Sequence, residues 1–479
     1  MKTVIPNALI DQLRDLLGSE SVLSAQSDLV VYECDGFMID KSSPDAVVFP
    51  RSAEQVAEVV KLCNRHDVAM IPRGAGTSLA GGCLPVGGGV MIVLTRMKQI
   101  LEINHRDRYA VVEPGVVNVW LTRALAGSGY HYAPDPSSQG ACTLGGNSAT
   151  NSGGPHTLKY GVTVNHVLGV EAVLTDGSIV QFGGPTEETP GLDLTGTLVG
   201  SEGTLAIVTK MWVRITRDPQ GCRTMLGVFD SVLDATNAIS EIIGEGIVPA
   251  ALEMMDHGII QAVEAAFHFG FPLDAGAVLL IEVDGLEAGL DAQRDRVVEL
   301  CTQCGAREVR QAQSEAERLE LWKCRKQAFG AIGRLGSSFC TQDGVVPRTK
   351  LPHIMRRIEE ISEKYDLRIV NIFHAGDGNI HPILLYDDRV PEQVQKVLDA
   401  SGEILDECLA CGGSVTGEHG IGVEKIHFMS KMFSEEDLAA MQRLRDVFNP
   451  DGRLSYGKLL PTAGACGMEQ IHPQRQAAL

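Results

Sequence analysis

Two histidines flank an Asp-Gly dipeptide in the stretch Phe373–Pro382, which reads FHAGDGNIHP. The runs on either side, RIVNIFH and IHPILLY, have the apolar character of strands, and Asp-Gly between such runs signals a two-residue hairpin turn. A turn on Asp377-Gly378 sets His374 directly opposite His381, and facing residues have Cβ atoms about 4.5–5.5 Å apart. Two imidazoles at that spacing can share a metal ion, or simply cap the end of a hairpin. Further along, GEHGIG offers Glu418 and His419 between glycines. Together these residues describe a small metal-and-base site. His374, His381 and Glu418 supply two nitrogens and a carboxylate, which leaves a coordination position open for substrate. His419 is the natural general base, with an unperturbed pKa of about 6.5 that its surroundings can tune. Zinc, manganese or iron all suit such a donor set.

The elements that must position these residues follow from pattern and composition. At 479 residues the chain is too long for one ordinary core, and 44% hydrophobic with 21% charged residues is a globular composition. The 41 Lys+Arg against 61 Asp+Glu give a net charge of −20 without a basic run, which argues against a nucleic-acid partner. The N-terminal MKTVIPNALIDQL has no apolar core long enough for a signal peptide, and no run reaches the ~18–20 apolar residues of a membrane span. Twelve scattered cysteines fit reduced thiols, so a cytoplasmic protein is expected. The CxxC pairs Cys301/Cys304 and Cys408/Cys411 each end a helix-like run with Gly just after; a zinc or iron–sulfur site split between them is the weaker reading.

Residues 1–44 form an N-terminal segment with a short helix around Leu9–Leu17. Residues 45–217 read as one domain. In it the strand AVVFP is followed by a helix capped by Ser52, with Val56, Val59, Val60 and Cys63 on one buried face. A hairpin turns on Asp176-Gly177. From Asp218-Pro219 to residue 417 helices and strands alternate as a second α+β domain, organised around one antiparallel sheet. Residues 418–479 contain a helix stopped by Asn449-Pro450 and a turn-rich tail.

Three small-residue tracts interrupt the 45–217 domain. PRGAGTSLAGG (Pro72–Gly82) is neither a Walker A loop nor a Rossmann fingerprint, yet successive glycines let backbone N–H groups converge on a pyrophosphate. Ser138–Gly154 is a long run of small and polar residues between good strands, as suits backbone that approaches a large flat ligand. GSEGTL (Gly200–Leu205) is the third. Three such loops imply one extended cofactor.

PRGAGTSLAGG, TLGGNSATNSGG followed by YG, and GSEGTLAIVT resemble the FAD-binding domain of the vanillyl-alcohol-oxidase-type flavoproteins. FHAGDGNIHP, GEHGIGVEK, VPRTKLP and the NPDGRLSYGK tail resemble the FAD-linked 2-hydroxy-acid dehydrogenase branch, which includes glycolate and D-lactate dehydrogenases. The resemblance spans nearly the whole chain. It implies a two-part FAD-binding domain, an α+β substrate (cap) domain and a C-terminal segment returning to the FAD domain. Implied cofactor contacts are Pro72, Arg73, Gly74, Ala75, Gly76, Thr77, Ser78, Gly81 and Gly82 in the first loop. In the second tract they are Ser138, Cys142, Thr143, Gly145, Gly146, Asn147, Ala149, Thr150, Asn151, Gly153 and Gly154, then Tyr160 and Gly161; Glu202, Gly203 and Ile207 complete the set. Thr77 and Ser78 stand where some members carry a flavin-linking His, so non-covalent FAD is implied. Where relatives usually read Asn-Pro-Gly-Lys, this chain has Ser455-Tyr456-Gly457-Lys458.

The implied chemistry is removal of a hydroxyl proton and transfer of a hydride from the α-carbon to flavin N5, with a divalent ion stabilising the developing alkoxide. The substrate carboxylate needs a cation. In LELWKCRKQAF, Leu321, Arg325, Phe329 and Ile332 share a helical face, and an Arg on an apolar stripe suits carboxylate binding better than the solvated Lys323 and Lys326. The alternative is an Arg paired inside the fold. Relatives that oxidise 2-hydroxyglutarate carry an Asn two residues after the second His; Ile383 stands there, which favours glycolate or D-lactate. The resemblance also implies companion subunits, one an iron–sulfur protein, a quinone or cytochrome acceptor, and attachment to the inner membrane through those partners. Two rival readings are a non-redox flavoenzyme and a non-catalytic FAD-binding subunit.

Overall fold

The computed structural model describes residues 5–186 and 190–461. The first four residues and the expected C-terminal segment beyond 461 lie outside the described residues. The chain divides into two units: residues 1–152, 162–217 and 418–479 form one, and residues 153–161 with 218–417 form the other.

In the first unit, strands Ala46–Val48 and Met70–Arg73 both run parallel to Val90–Val93. The crossover helix Ala53–Arg65 has Ser52 as its N-cap, accepting from the Gln55 N–H, while Gln55 Oε1 accepts from the Arg51 N–H at 2.7 Å. That reciprocal pairing fixes where the helix starts. Val56, Val59, Val60 and Cys63 form its buried face, as the spacing predicts. The glycine loop therefore leaves directly from a strand end. A second sheet, five-stranded and antiparallel, has the order Ile100–Asn104, Tyr109–Val112, Ile207–Arg214, Val167–Val173, Ile179–Gly183. Its last hairpin turns on Asp176-Gly177, where Gly177 takes φ +84° and Asp176 accepts from the Ser178 N–H. The C-terminal segment returns to this unit: Met70 donates to the Arg453 carbonyl and accepts from the Ser455 N–H. Asn449, at the end of helix Glu435–Phe448, is buried and donates to the Thr204 and Leu454 carbonyls.

Among the described residues, the second unit is built on a nine-stranded antiparallel sheet. Its main path runs Ala306–Gln311, Gly221–Phe229, Ala277–Gly285, Ala251–Asp256, Ile369–His374, Asn379–Ile380, Gly344–Val345. Strand Pro382–Tyr386 pairs with both Ile369–His374 and Ser338–Thr341. Helices His257–Phe267 and Glu315–Ile332 cover the sheet through a core that includes Ile259, Val263, Trp322, Ala328, Ile372 and Ile383. Asp256 caps the first of these helices through the Ile259 N–H. It also accepts from the Asn371 N–H at 2.6 Å, which ties that helix to the histidine-bearing strand.

The central hairpin departs from the expected register. His374 pairs with Asn379, and Asn371 with Pro382, so His381 is not directly opposite His374. The turn takes four residues, Ala375–Gly378, and Asp377-Gly378 form only its second half. Asp377 Oδ1 accepts from the Asn379 N–H, Arg348 Nη1 donates to the Gly376 carbonyl, and the Val346 N–H donates to the Gly378 carbonyl. Gly378 takes φ +80°, and a Cβ there would stand 2.1 Å from the Val346 oxygen. These contacts from neighbouring segments select the longer turn over the two-residue one. Because side chains alternate with period two, this register still leaves both histidines on one face, as diagonal neighbours.

Candidate active site

The hairpin places His374 and His381 with ring centroids 5.3 Å apart and planes at 89°. They are 3% and 2% exposed. His374 lies in register opposite Glu253 of strand Ala251–Asp256, and its Nδ1 is 2.9 and 3.0 Å from the two Glu253 carboxylate oxygens. His381 Nδ1 is 3.2 Å from the Gln342 carbonyl and 3.8 Å from Asp343 Oδ1. A protein acceptor on Nδ1 of each ring makes Nε2 the nitrogen suited to a metal. The donor set and the buried, closely spaced rings fit a divalent ion.

Asp343 is fully buried, and its Oδ2 accepts from the Thr416 hydroxyl at 2.6 Å and the Gly417 N–H at 2.9 Å. The backbone is thus pinned immediately before Glu418 and His419. Those two residues begin the returning segment of the first unit, with Glu418 Oε1 3.9 Å from His419 Nε2. In that unit, burial pushes the Cys142 thiol up, and the Glu418 charge adds to the effect.

Arg325 projects from helix Glu315–Ile332 with 1% exposure, and its Nη2 stands 2.6 Å from Glu253 Oε2. The internal pair weighed from the sequence is therefore present. Nε makes no hydrogen bond among the described residues. Ile383 is fully buried in the apolar core.

The glycine tracts of the first unit are backbone cradles. A Cβ on Gly74 would stand 2.4 Å from Thr143 Oγ1, which brings the first loop against the second tract, and Gly76 takes φ +74°. Arg73 donates to the Cys34 carbonyl at 2.9 Å. The second tract contains a helix, Leu144–Thr150, that its small-residue composition hid. Thr143, which accepts from the Gly146 N–H, and left-handed Asn151 at the far end were the available signals. Glu202 is buried, and burial raises its carboxyl. That carboxylate accepts from the Ile421 and Gly422 N–H groups at 2.7 and 2.8 Å, joining the third loop to GEHGIG. Gly153, Gly154, Tyr160 and Gly161 fall in the short excursion of the second unit, where Lys159 and Tyr160 both reach the Asp284 carboxylate.

Lys458 is fully buried, burial pulls its ammonium down to about 8, and Nζ has no hydrogen-bond partner among the described residues. The hydroxyls of Ser78 and Ser148 are likewise buried without hydrogen-bond partners among the described residues. Orphaned donors beside glycine cradles fit a polar, anionic cofactor, since unmatched buried groups are otherwise costly.

The fold is of the vanillyl-alcohol-oxidase type. Residues 44–183 match the family described as "FAD binding domain", and residues 218–459 match "FAD linked oxidases, C-terminal domain". The chain belongs to this family of FAD-linked oxidases. It is 42% identical over 463 residues to the glycolate oxidase subunit GlcD of Escherichia coli K12, covering 96% of this chain and 93% of that one. It is 30% identical over 463 residues to the mitochondrial D-lactate dehydrogenase [cytochrome] of Arabidopsis thaliana, covering 95% and 81%. Among solved structures, p-cresol methylhydroxylase with substrate bound shares the fold with a TM-score of 0.79 at 19% identity, covering 94% and 95%. No helix among the described residues is long and apolar enough to cross a membrane.

Proposed function

We propose that the chain oxidises a small 2-hydroxy acid, glycolate or D-lactate, to the corresponding 2-oxo acid. The observation that carries this reading is one buried carboxylate, Glu253, that holds both an imidazole and a guanidinium. The names of the glycolate and D-lactate relatives support the same substrate class. FAD held by the loops of the first unit would supply the acceptor for the hydride of the α-carbon. A divalent ion held by His374, His381 and Glu418 would polarise the substrate hydroxyl oxygen. His419 accepts the hydroxyl proton. Arg325, with its unmatched Nε, binds the substrate carboxylate, and Ile383, packed in the apolar core, brings no polar side chain of its own to a second carboxylate.

In the first unit, the loops at Pro72–Gly82 and Gly200–Leu205 and the Ser138–Ser152 part of the second tract carry the cofactor without a covalent link, and Lys458 supplies a buried positive charge. A companion iron–sulfur subunit, or a quinone or cytochrome, would serve as the electron acceptor. The word "subunit" in the name of the E. coli relative supports a multi-subunit assembly.

The test is anaerobic reduction of the purified flavoprotein against a panel of hydroxy acids. Glycolate or D-lactate bleaches the flavin absorbance if the reading is right. A flavin left fully oxidised by both acids contradicts it, and is what a non-redox flavoenzyme or a non-catalytic subunit would show.

A further inference from the structure

We infer that Glu253 is a positioning residue that fixes the tautomer and orientation of His374 and, through the same carboxylate, the place of Arg325. The inference rests on the proposed metal role of His374. Glu253 and His374 are a register pair on adjacent strands, so the sheet sets their approach before any side-chain rotation. Both carboxylate oxygens stand within 3.0 Å of His374 Nδ1, and Oε2 also lies 2.6 Å from Arg325 Nη2. Exposure of the three residues is 1%, 3% and 1% for Glu253, His374 and Arg325.

An acceptor-only group on Nδ1 requires the proton to sit there, which gives the lone pair to Nε2. An imidazole without this partner samples both tautomers and both ring flips, and a metal would have to select one of them. The negative charge also makes Nε2 more basic, as carboxylate partners of metal-bound histidines do. The other histidine is oriented differently: its nearest Nδ1 acceptor is the Gln342 carbonyl, backbone that substitution leaves in place. Glu253 is thus the side chain through which orientation of the pair can be tested.

Arg325 gives the carboxylate a charge partner at full burial, where a lone ion is costly. In return Glu253 holds the guanidinium near the histidine pair. One carboxylate therefore spaces the group that would bind the substrate carboxylate from the group that would bind the metal. In a 2-hydroxy acid, the carboxylate and hydroxyl to be held sit on adjacent carbons. The chemical class recognised is a short α-hydroxy carboxylate.

The experiment measures Co²⁺ affinity by chelator competition, and the cobalt d–d bands outside the flavin absorption, in the FAD-loaded full chain. Wild type, Glu253→Gln, Glu253→Asp and His374→Ala are compared, with the FAD-to-protein ratio reporting folding. Glu253→Gln keeps an acceptor but loses the charge. The expected result is a 10–100-fold loss of Co²⁺ affinity with shifted bands and unchanged FAD content. At saturating metal, KM for the hydroxy acid stays raised because Arg325 has lost its anchor, while kcat recovers in large part. Glu253→Asp retains the charge and gives a smaller loss; it decides the matter if Glu253→Gln does not fold. Wild-type Co²⁺ affinity and bands in Glu253→Gln, or in Glu253→Asp when that is the folded variant, overturn the inference. If wild type binds no Co²⁺, or His374→Ala binds it equally well, the metal reading of the hairpin fails instead, and this inference falls with it.

Discussion

The proposed cofactor loops of the first unit and the histidine hairpin of the second are built from opposite materials. In the loops, side chains are mostly small, and at Gly74 and Gly76 the backbone comes to places where a Cβ would collide with Thr143 or Arg73. At the hairpin, the work falls to side chains with strong hydrogen-bonding and charge demands, among them Glu253, Arg325, His374, His381 and Asp343. The first region should tolerate loss of a side chain and fail when a methyl is added. The second should tolerate neither.

Replacing the proposed base sharpens this contrast most. His419→Ala is expected to slow anaerobic flavin reduction by glycolate or D-lactate about 10²–10⁴-fold, the usual weight of a general base, with FAD content unchanged. Stopped-flow bleaching measures it, and an unaltered rate would remove His419 from the mechanism. Next in size, His381→Ala should lose the bound divalent ion while keeping the flavin, as metal analysis and absorbance of one sample would show. The reverse, metal kept and flavin lost, would break the division of labour between the two regions.

A methyl added to the cradle has a smaller effect. Gly76→Ala places a Cβ at φ +74°, 2.1 Å from Arg73 Nη2. Strain of about 1–3 kcal/mol follows, enough to weaken FAD binding roughly 5–150-fold if it is released when the loop opens. The fraction that still holds FAD should be reduced at an ordinary rate, and a slow loaded fraction would contradict that. The smallest effect concerns acid. Burial opposes ionisation of Glu282, but hydrogen bonds with His156, Arg318 and Thr224 overcome it and hold its carboxyl below the usual range. For a depressed carboxyl the stabilisation is full above the unfolded pKa of about 4.3 and is lost as pH falls towards the lower folded value. Thermal melts from pH 6 down to 3 should therefore fall more steeply for wild type than for Glu282→Gln. Parallel curves would refute the assignment.

How much was legible in the sequence tracks how far apart the partners are along the chain. The helix Ala53–Arg65, its Ser52 cap and the Asp176-Gly177 hairpin rest on neighbours in sequence, and all are present. His374 and His381 were readable as a pair because one hairpin carries both. The length of the turn is not legible there, because Arg348 and Val346 contact it from another segment. Glu253 escaped notice altogether, lying 121 residues from its histidine. Its one signal was a lone acid in the apolar run AALEMM, where a buried charge must find a partner. Lys458 hid for the same reason, since nothing around it in the tail foretells complete burial. Arg325 stands out in the sequence as a cation on an apolar stripe, but its partner Glu253 comes from a distant strand of the sheet.

The most direct test of the account combines metal analysis with anaerobic reduction in one preparation. The account predicts one divalent ion per flavin and rapid bleaching by glycolate or D-lactate. Chelation should abolish bleaching without releasing FAD, and restoring the ion should recover it. Full-rate bleaching in metal-free protein would contradict the claim that the histidine hairpin works through a metal.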